Sequence, residues 1–261
     1  MATSSEALIQ CAVLVKDQIN LFTLEHFCMR GGRIGSGLGL VMESLWGFYA
    51  SQHLRTMDVS LAWIPNHEFN DFACISDVTP WGPETKTGEL FRIEVKSMVI
   101  NADESKAHFD SLISEIGEDD LLVVITWGWA ETGGIHVYPR IDEIGLFRSR
   151  SIASLRDLLH IERGGSFVDR GSCPDGCDPS RCVHHGEPVN ASNVRERRTG
   201  PISLRGSNVS YAQNFGGLVR MVATRSLAAK DKRAELASAD PEMKRYLEFV
   251  ERLKTVRRGQ A

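Results

Sequence analysis

Leu121-Leu122-Val123-Val124-Ile125 is a run of five apolar residues, set off upstream by the turn-forming stretch Gly117-Glu118-Asp119-Asp120. A strand with one wet face alternates apolar and polar residues, so a run with no polar member belongs to a central strand covered on both faces. The chain is therefore expected to be an α/β protein with its core sheet sandwiched between helices. At 261 residues and 42% hydrophobic content it has length enough for one large domain, or one domain with an appendage.

A second strand is legible at Phe91-Arg92-Ile93-Glu94-Val95-Lys96-Ser97-Met98-Val99. Its alternation puts Ile93, Val95 and Val99 on a buried face and Glu94 with Lys96 on the other. A surface ion pair on an edge strand would have the same pattern. Upstream, residues 68–75 read as another short strand, and residues 79–88, rich in Thr, Pro and Gly, as a long turn. If this hairpin is centred near Pro83, Asp71 falls across from Lys96 and close to Glu94, antiparallel neighbours being about 4.5–5.5 Å apart. Asp77, roughly 20 Å further along an extended strand, is the alternative if the loop folds back.

With Asp71 as first acid and Glu94-Val95-Lys96 as (D/E)xK tripeptide, the sequence resembles the PD-(D/E)xK nuclease superfamily, which includes many type II restriction endonucleases, Holliday-junction resolvases and phage exonucleases. The order of elements is similar too: a helix carrying Glu43 precedes the hairpin, and a helix over residues 103–116 and the buried strand follow it. The match covers about residues 36–140, and Asn70 stands where the motif has proline. The resemblance implies a restriction-endonuclease-like mixed central sheet flanked by helices. It also implies metal-dependent hydrolysis of phosphodiester bonds in DNA, by an endonuclease of restriction or anti-phage defence. Asp71 and Glu94 would hold Mg2+ (or Mn2+), and Lys96 would orient or activate the attacking water and offset charge on phosphorus. Glu43 would be a further ligand or a water-positioning group; as a lone helical Glu it reads equally as a surface residue. The rival reading is a nucleic-acid-binding or assembly subunit of a defence or repair complex that keeps the fold and does no cutting.

Residues 4–30 read as a helix, with Thr3 and Glu6 at capping-box spacing, Leu8, Ala12, Val15, Ile19 and Phe22 on one face, and Gly31-Gly32 as the stop. Packing, or a contact in a homodimer, is its expected role. Gly35-Ser36-Gly37-Leu38-Gly39 has no preceding strand and no following Gly-Lys-Ser/Thr, so it is read as close backbone approach at the start of a helix over residues 38–54 and not as a phosphate loop. Trp127 and Trp129 project to one side of their strand, as core packing or as a platform for unpaired bases. Past Ile141 the pattern turns helical, with Ile152, Leu155, Leu158 and Leu159 as a stripe.

Three of the six cysteines, Cys173, Cys177 and Cys182, lie within ten residues and are followed by His184 and His185. Thiolates and an imidazole on tight turns suit a structural Zn2+ site, with His184 as fourth ligand and His185 as the alternative; a disulfide and free thiols are the other readings. Charge is uneven: residues 195–261 hold 15 Lys and Arg against 7 Asp and Glu, and residues 1–194 hold 15 against 27. Arg195, Arg197, Arg198 and Arg205 are the candidate nucleic-acid contacts; a solvated face explains the same count. The expected division is an N-terminal helix (1–35), a nuclease core (36–165), a zinc knuckle (166–190) and a basic helical C-terminal region (191–261). No apolar run approaches the roughly 20 residues of a membrane span and the first residues lack a secretory pattern, so the expectation is a cytoplasmic protein with DNA, another copy of itself and a defence-complex subunit as partners.

Overall fold

A computed structural model describes residues 3–31, 36–64, 70–100, 107–109, 111, 113–162, 165–168, 187–190, 217–219, 222 and 227–259. They fall into two compact units, one made of Met1–Asp103, Gly117–Ser149 and Glu248–Ala261, the other of Glu104–Ile116 and Arg150–Leu247.

The first unit is a mixed α/β layer structure. Helix α1 (Ser4–His26) leads to a two-residue strand β1 (Met29–Arg30), helix α2 (Ser36–Leu54), and strands β2 (Val59–Trp63), β3 (Phe72–Ser76), β4 (Glu89–Val99), β5 (Leu121–Thr132) and β6 (His136–Arg148). The six strands make one sheet in the order β1-β6-β5-β4-β3-β2. Every pairing is antiparallel except β4 with β5, which is parallel. Leu121 to Ile125 are fully buried along both alternations of β5.

Helix α1 opens on the expected capping box: Glu6 N–H donates to Thr3 Oγ1 (3.3 Å) and Thr3 N–H to Glu6 Oε2 (2.7 Å). It ends earlier than its sequence pattern, at His26, because Met29 and Arg30 leave the helix to pair with Val137 and His136. By length and composition α1 could cross a membrane, yet Leu8, Val15 and Ile19 are buried in the common core with β5, β6 and α2. Where β1 stops, the Asn20 amide takes its place on β6, donating to Ile141 O (2.9 Å) and accepting from Ile141 N–H (2.6 Å). A side-chain amide thus satisfies strand groups that an exposed edge would leave open.

Helix α2 lies close on the sheet because two of its three glycines stand against it. A Cβ at Gly47 would sit 2.3 Å from the Phe72 ring, and one at Gly39 would sit 2.8 Å from Ser97 Oγ. Met42, Trp46, Ala50 and Leu54 form its buried stripe. Ser51 Oγ accepts from Leu61 N–H (3.2 Å) on the outermost strand, β2.

The β3–β4 hairpin is present, with a register that corrects the expected one. Phe72 faces Ile93, Ala73 faces Arg92 and Cys74 faces Phe91; a bulge follows before Ile75 meets Glu89. Extended by one residue, this ladder brings Asp71 beside Glu94, not across from Lys96. The offset is set at the turn, where Ile75 meets Glu89; the bulge, which leaves Leu90 extra on β4, takes one residue back from it. At the other end, β6 continues to Arg148, overriding the helical reading past Ile141, because residues 141–148 pair with β5 from Trp127 back to Leu121. Part of the C-terminal helix belongs here as well: Phe249 packs edge-on against Phe147 (5.5 Å between centroids), and Arg252 pairs with Glu143.

The second unit contains helix α3 (Ser149–Glu162, its first residue in the first unit), a two-stranded antiparallel sheet of β7 (Gly165–Val168) and β8 (Glu187–Asn190), and helices α4 (Leu227–Ala239) and α5 (Pro241–Gly259), the last reaching into the first unit. The helix expected over 103–116 is not found among the described residues, which show one 3-10 turn at Ile113–Glu115. Backbone groups a helix would use go to distant partners instead: Ala107 O accepts from Leu218 N–H (3.1 Å) and Phe109 O from Arg156 Nη1 (2.8 Å). Cys173, Cys177, Cys182, His184, His185, Arg195, Arg197, Arg198 and Arg205 lie outside the described residues.

Candidate active site

β4 is longer than the strand it pairs with. β3 begins at Phe72, opposite Ile93, so the β4 residues after Ile93 have no strand on that side. Two N–H groups of this open stretch are met by carboxylates: Val95 N–H donates to Asp71 Oδ2 (2.7 Å) and Ser97 N–H to Glu43 Oε1 (3.1 Å). Asp71 arrives on the segment entering β3 and Glu43 from the third turn of α2, which Gly39 and Gly47 allow to lie close. Between them, Glu94 Oε1 holds the Lys96 ammonium in an ion pair, with Glu94 only 8% exposed.

The turn that delivers Asp71 is unusual. Asn70 adopts φ +84°, a left-handed conformation that asparagine tolerates better than most residues. There its backbone N–H favours the ionised form of Glu94. The next N–H, of Asp71, donates to Ile93 O (2.9 Å), and Asp71 O accepts from Ile64 N–H (3.1 Å). Sequence reasoning missed Asn70 and Ser97; the signal for the first was an asparagine, a frequent turn residue, directly before the acid.

Three carboxylates share one ammonium, and the acid-base properties follow. Burial raises the Glu43 carboxyl above its usual range and neighbouring Asp71 adds to this, against Ser97 hydrogen bonds and Lys96. Burial likewise raises Glu94, opposed by Lys96 and by the Asn70 N–H, while Asp71 pushes it further up. For Lys96 burial works downward, but Glu94, Asp71 and Glu43 outweigh it and hold the ammonium above its ordinary value. The one ion pair favours both charged forms; desolvation wins at Glu94 and the surplus of acids wins at Lys96.

Among the described residues no group of three or more His, Cys, Asp or Glu is arranged to hold a metal ion. The donor set nevertheless fits magnesium or manganese of the open kind, which takes one or two carboxylates and completes its shell with water and substrate phosphate. Asp71 commits Oδ2 to Val95, which leaves Oδ1 for another ligand, and an excess of buried negative charge favours a cation. A closed protein cage is not what these residues make.

The other sequence candidates lie elsewhere. Asp77 follows the far end of β3, is exposed, and accepts from Ser60 Oγ (2.7 Å). Trp127 is 1% exposed and packs in the core, its ring 6.3 Å from that of Trp129 in a T-shaped contact.

Comparison of the chain with protein-family models, with characterised proteins and with solved structures found no match. Fold and site define a class only: a mixed α/β protein with a cluster of three carboxylates and a lysine at the end of a central strand whose β3 side is open.

Proposed function

We propose that the chain is a divalent-metal-dependent nuclease of the PD-(D/E)xK type, with a restriction-endonuclease-like core, that hydrolyses phosphodiester bonds in DNA in restriction or anti-phage defence. The observation that carries this reading is the convergence of Asp71, Glu94, Lys96 and Glu43 on one stretch of β4 that has no strand on its β3 side. Asp71 and Glu94 are the proposed holders of Mg2+ or Mn2+, and Glu43 a positioning group beside them. The bound ion supplies Lewis-acid polarisation of the phosphoryl oxygens. Asp71 is kept in orientation by Val95 N–H, and Glu43 by Ser97 N–H. Lys96, held cationic by the surrounding acids, donates to a phosphoryl oxygen or to the attacking water and offsets the charge that develops on phosphorus. The proposal extends to a structural zinc on Cys173, Cys177, Cys182 and His184 or His185, and to DNA contacts from Arg195, Arg197, Arg198 and Arg205, on sequence grounds alone.

A second reading draws on the lack of a three-ligand metal group among the described residues: a nucleic-acid-binding or assembly subunit in which these carboxylates only complete the strand edge. Incubating supercoiled plasmid with magnesium and the parent, Glu94→Ala or Lys96→Ala chain separates the two. Nicking by the parent alone supports the nuclease; no cleavage by the parent, or equal cleavage by all three, ends it.

A further inference from the structure

We infer that the outward face of α1 is where two copies of this chain associate, the helix lying antiparallel against the same helix of a second copy. The inference does not rest on the nuclease reading.

α1 has two apolar faces. Leu8, Cys11, Val15 and Ile19 are buried in the core. On the other side Ile9, Val13, Leu14 and Leu21 are 36%, 62%, 57% and 57% exposed. At about 100° per residue these four lie, with the exposed Asp17, on one arc of about 140°. A helix at a protein surface keeps one apolar stripe and a polar back, and a helix that is apolar all round is covered all round.

The size of the face fits a protein partner. Its four side chains leave on the order of 400 Å² of apolar surface open, a large patch for a monomer. A standard interface takes about 800 Å² from each partner, a little over half of it apolar. This one face therefore supplies most of the apolar part.

The face is also complementary to itself. Val15 is the midpoint of Ser4–His26, and Ile9 and Leu21 are equally far from it on either side. Antiparallel pairing about that point sets each Ile9 against the partner's Leu21 and puts Val13 and Leu14 at the crossing. Charge selects the same occupant. Lys16 and Asp17 sit together near the midpoint, and neither side chain has an ion pair or hydrogen bond among the described residues. A two-fold axis brings each ammonium within reach of the partner's carboxylate, so that both are matched in one exchange. A lipid surface would take up the apolar residues but offers Asp17 no counter-charge.

The test uses the full chain, free of nucleic acid, in sedimentation velocity over a range of concentrations. The parent should sediment as a dimer at micromolar concentration. Leu14→Glu with Leu21→Glu alters two exposed residues and keeps good helix formers. It should raise the dimer dissociation constant by about 100-fold or more with the circular dichroism of the parent. Lys16→Asp or Asp17→Lys alone places like charges across the axis and should weaken the dimer. The double variant Lys16→Asp/Asp17→Lys supplies both signs in exchanged places and should recover most of that loss. A parent that is monomeric at every concentration, or a dimer that Leu14→Glu with Leu21→Glu leaves intact, overturns the inference. Flotation of a monomeric parent with phosphatidylcholine vesicles, lost in the same variant, also overturns it and gives the face to lipid. If that variant does not fold, the charge series decides: recovery in the double variant supports the dimer, and losses that merely add overturn it. Plasmid cleavage judges the nuclease reading separately from all of these outcomes.

Discussion

The Asp71 carboxylate accepts the Val95 N–H at 2.7 Å, and so occupies the place a β3 residue would hold if that strand were longer. One side chain closes the strand edge and, on the proposed reading, takes the metal. Asn keeps an acceptor oxygen and Ala does not, so the two roles separate. Asp71→Asn should melt near the parent temperature. Asp71→Ala, which leaves a partly buried N–H unpaired at a cost of about 1–3 kcal/mol, should melt several degrees lower. Both should lose plasmid cleavage, whereas Asp77→Asn, altering an exposed carboxylate bonded to Ser60, should keep it. Cleavage by Asp71→Asn at the parent rate would remove Asp71 from the chemistry.

Lys96 is the counter-charge for a buried acid. Without it Glu94 stays desolvated beside Asp71 and its carboxyl rises further. A group with a raised folded pKa contributes stability that is present at low pH and is lost as pH rises through that pKa. Lys96→Ala should therefore be destabilised most at alkaline pH and recover toward the parent as pH falls into the usual carboxylate range. Thermal unfolding across pH 4–9 measures this, and a pH-independent deficit would mean that Glu94 does not depend on Lys96 for its charge.

Glu43 carries the same sign. Its carboxyl is raised by burial and by Asp71, so its ionisation opposes folding above the usual carboxylate range. Glu43→Gln retains an oxygen for Ser97 N–H and removes the charge. The variant should be more stable than the parent at pH 8, by a few degrees at most if the gain is about 1 kcal/mol, and the two should converge near pH 4. A Gln variant that melts lower than the parent throughout would show that the charge is wanted for folding, as in a Lys96-centred network.

What was legible in the sequence was what neighbouring residues decide. The five apolar residues from Leu121 required two buried faces, and the alternation through Glu94 and Lys96 required a strand; both hold. The β2 strand was readable in Val59 to Trp63 and was passed over. The position of Asp71 was missed by two residues because the closure of the turn sets Ile75 against Glu89 and a bulge then adds Leu90 to β4, neither of which periodicity encodes. Residues 107–109 have helical composition, yet their carbonyls serve Leu218 and Arg156, partners more than 45 residues away. Glu43 could be singled out only through the family resemblance. Its placement depends on Gly39 and Gly47 together with Ser97 and Phe72, a match between a helix and a sheet that no single stretch displays.

Asn70 offers the sharpest separation of fold from site. At φ +84° a residue with a Cβ is strained, and β-branched side chains are the most strained of all. Glycine accepts the angle without penalty. If the value of Asn70 is its backbone, then Asn70→Gly should preserve both stability and cleavage, while Asn70→Val should cost about 1–3 kcal/mol or relax to negative φ. Relaxation would withdraw the N–H that favours ionised Glu94 and the turn that sets Asp71 on Val95. The Val variant should then lose kcat more than it gains in KM, because the acids are misplaced while the surfaces that hold the substrate are not. Full activity in Asn70→Val, or loss of activity in a stably folded Asn70→Gly, would show that the Asn70 side chain, and not the backbone turn, is what the site uses.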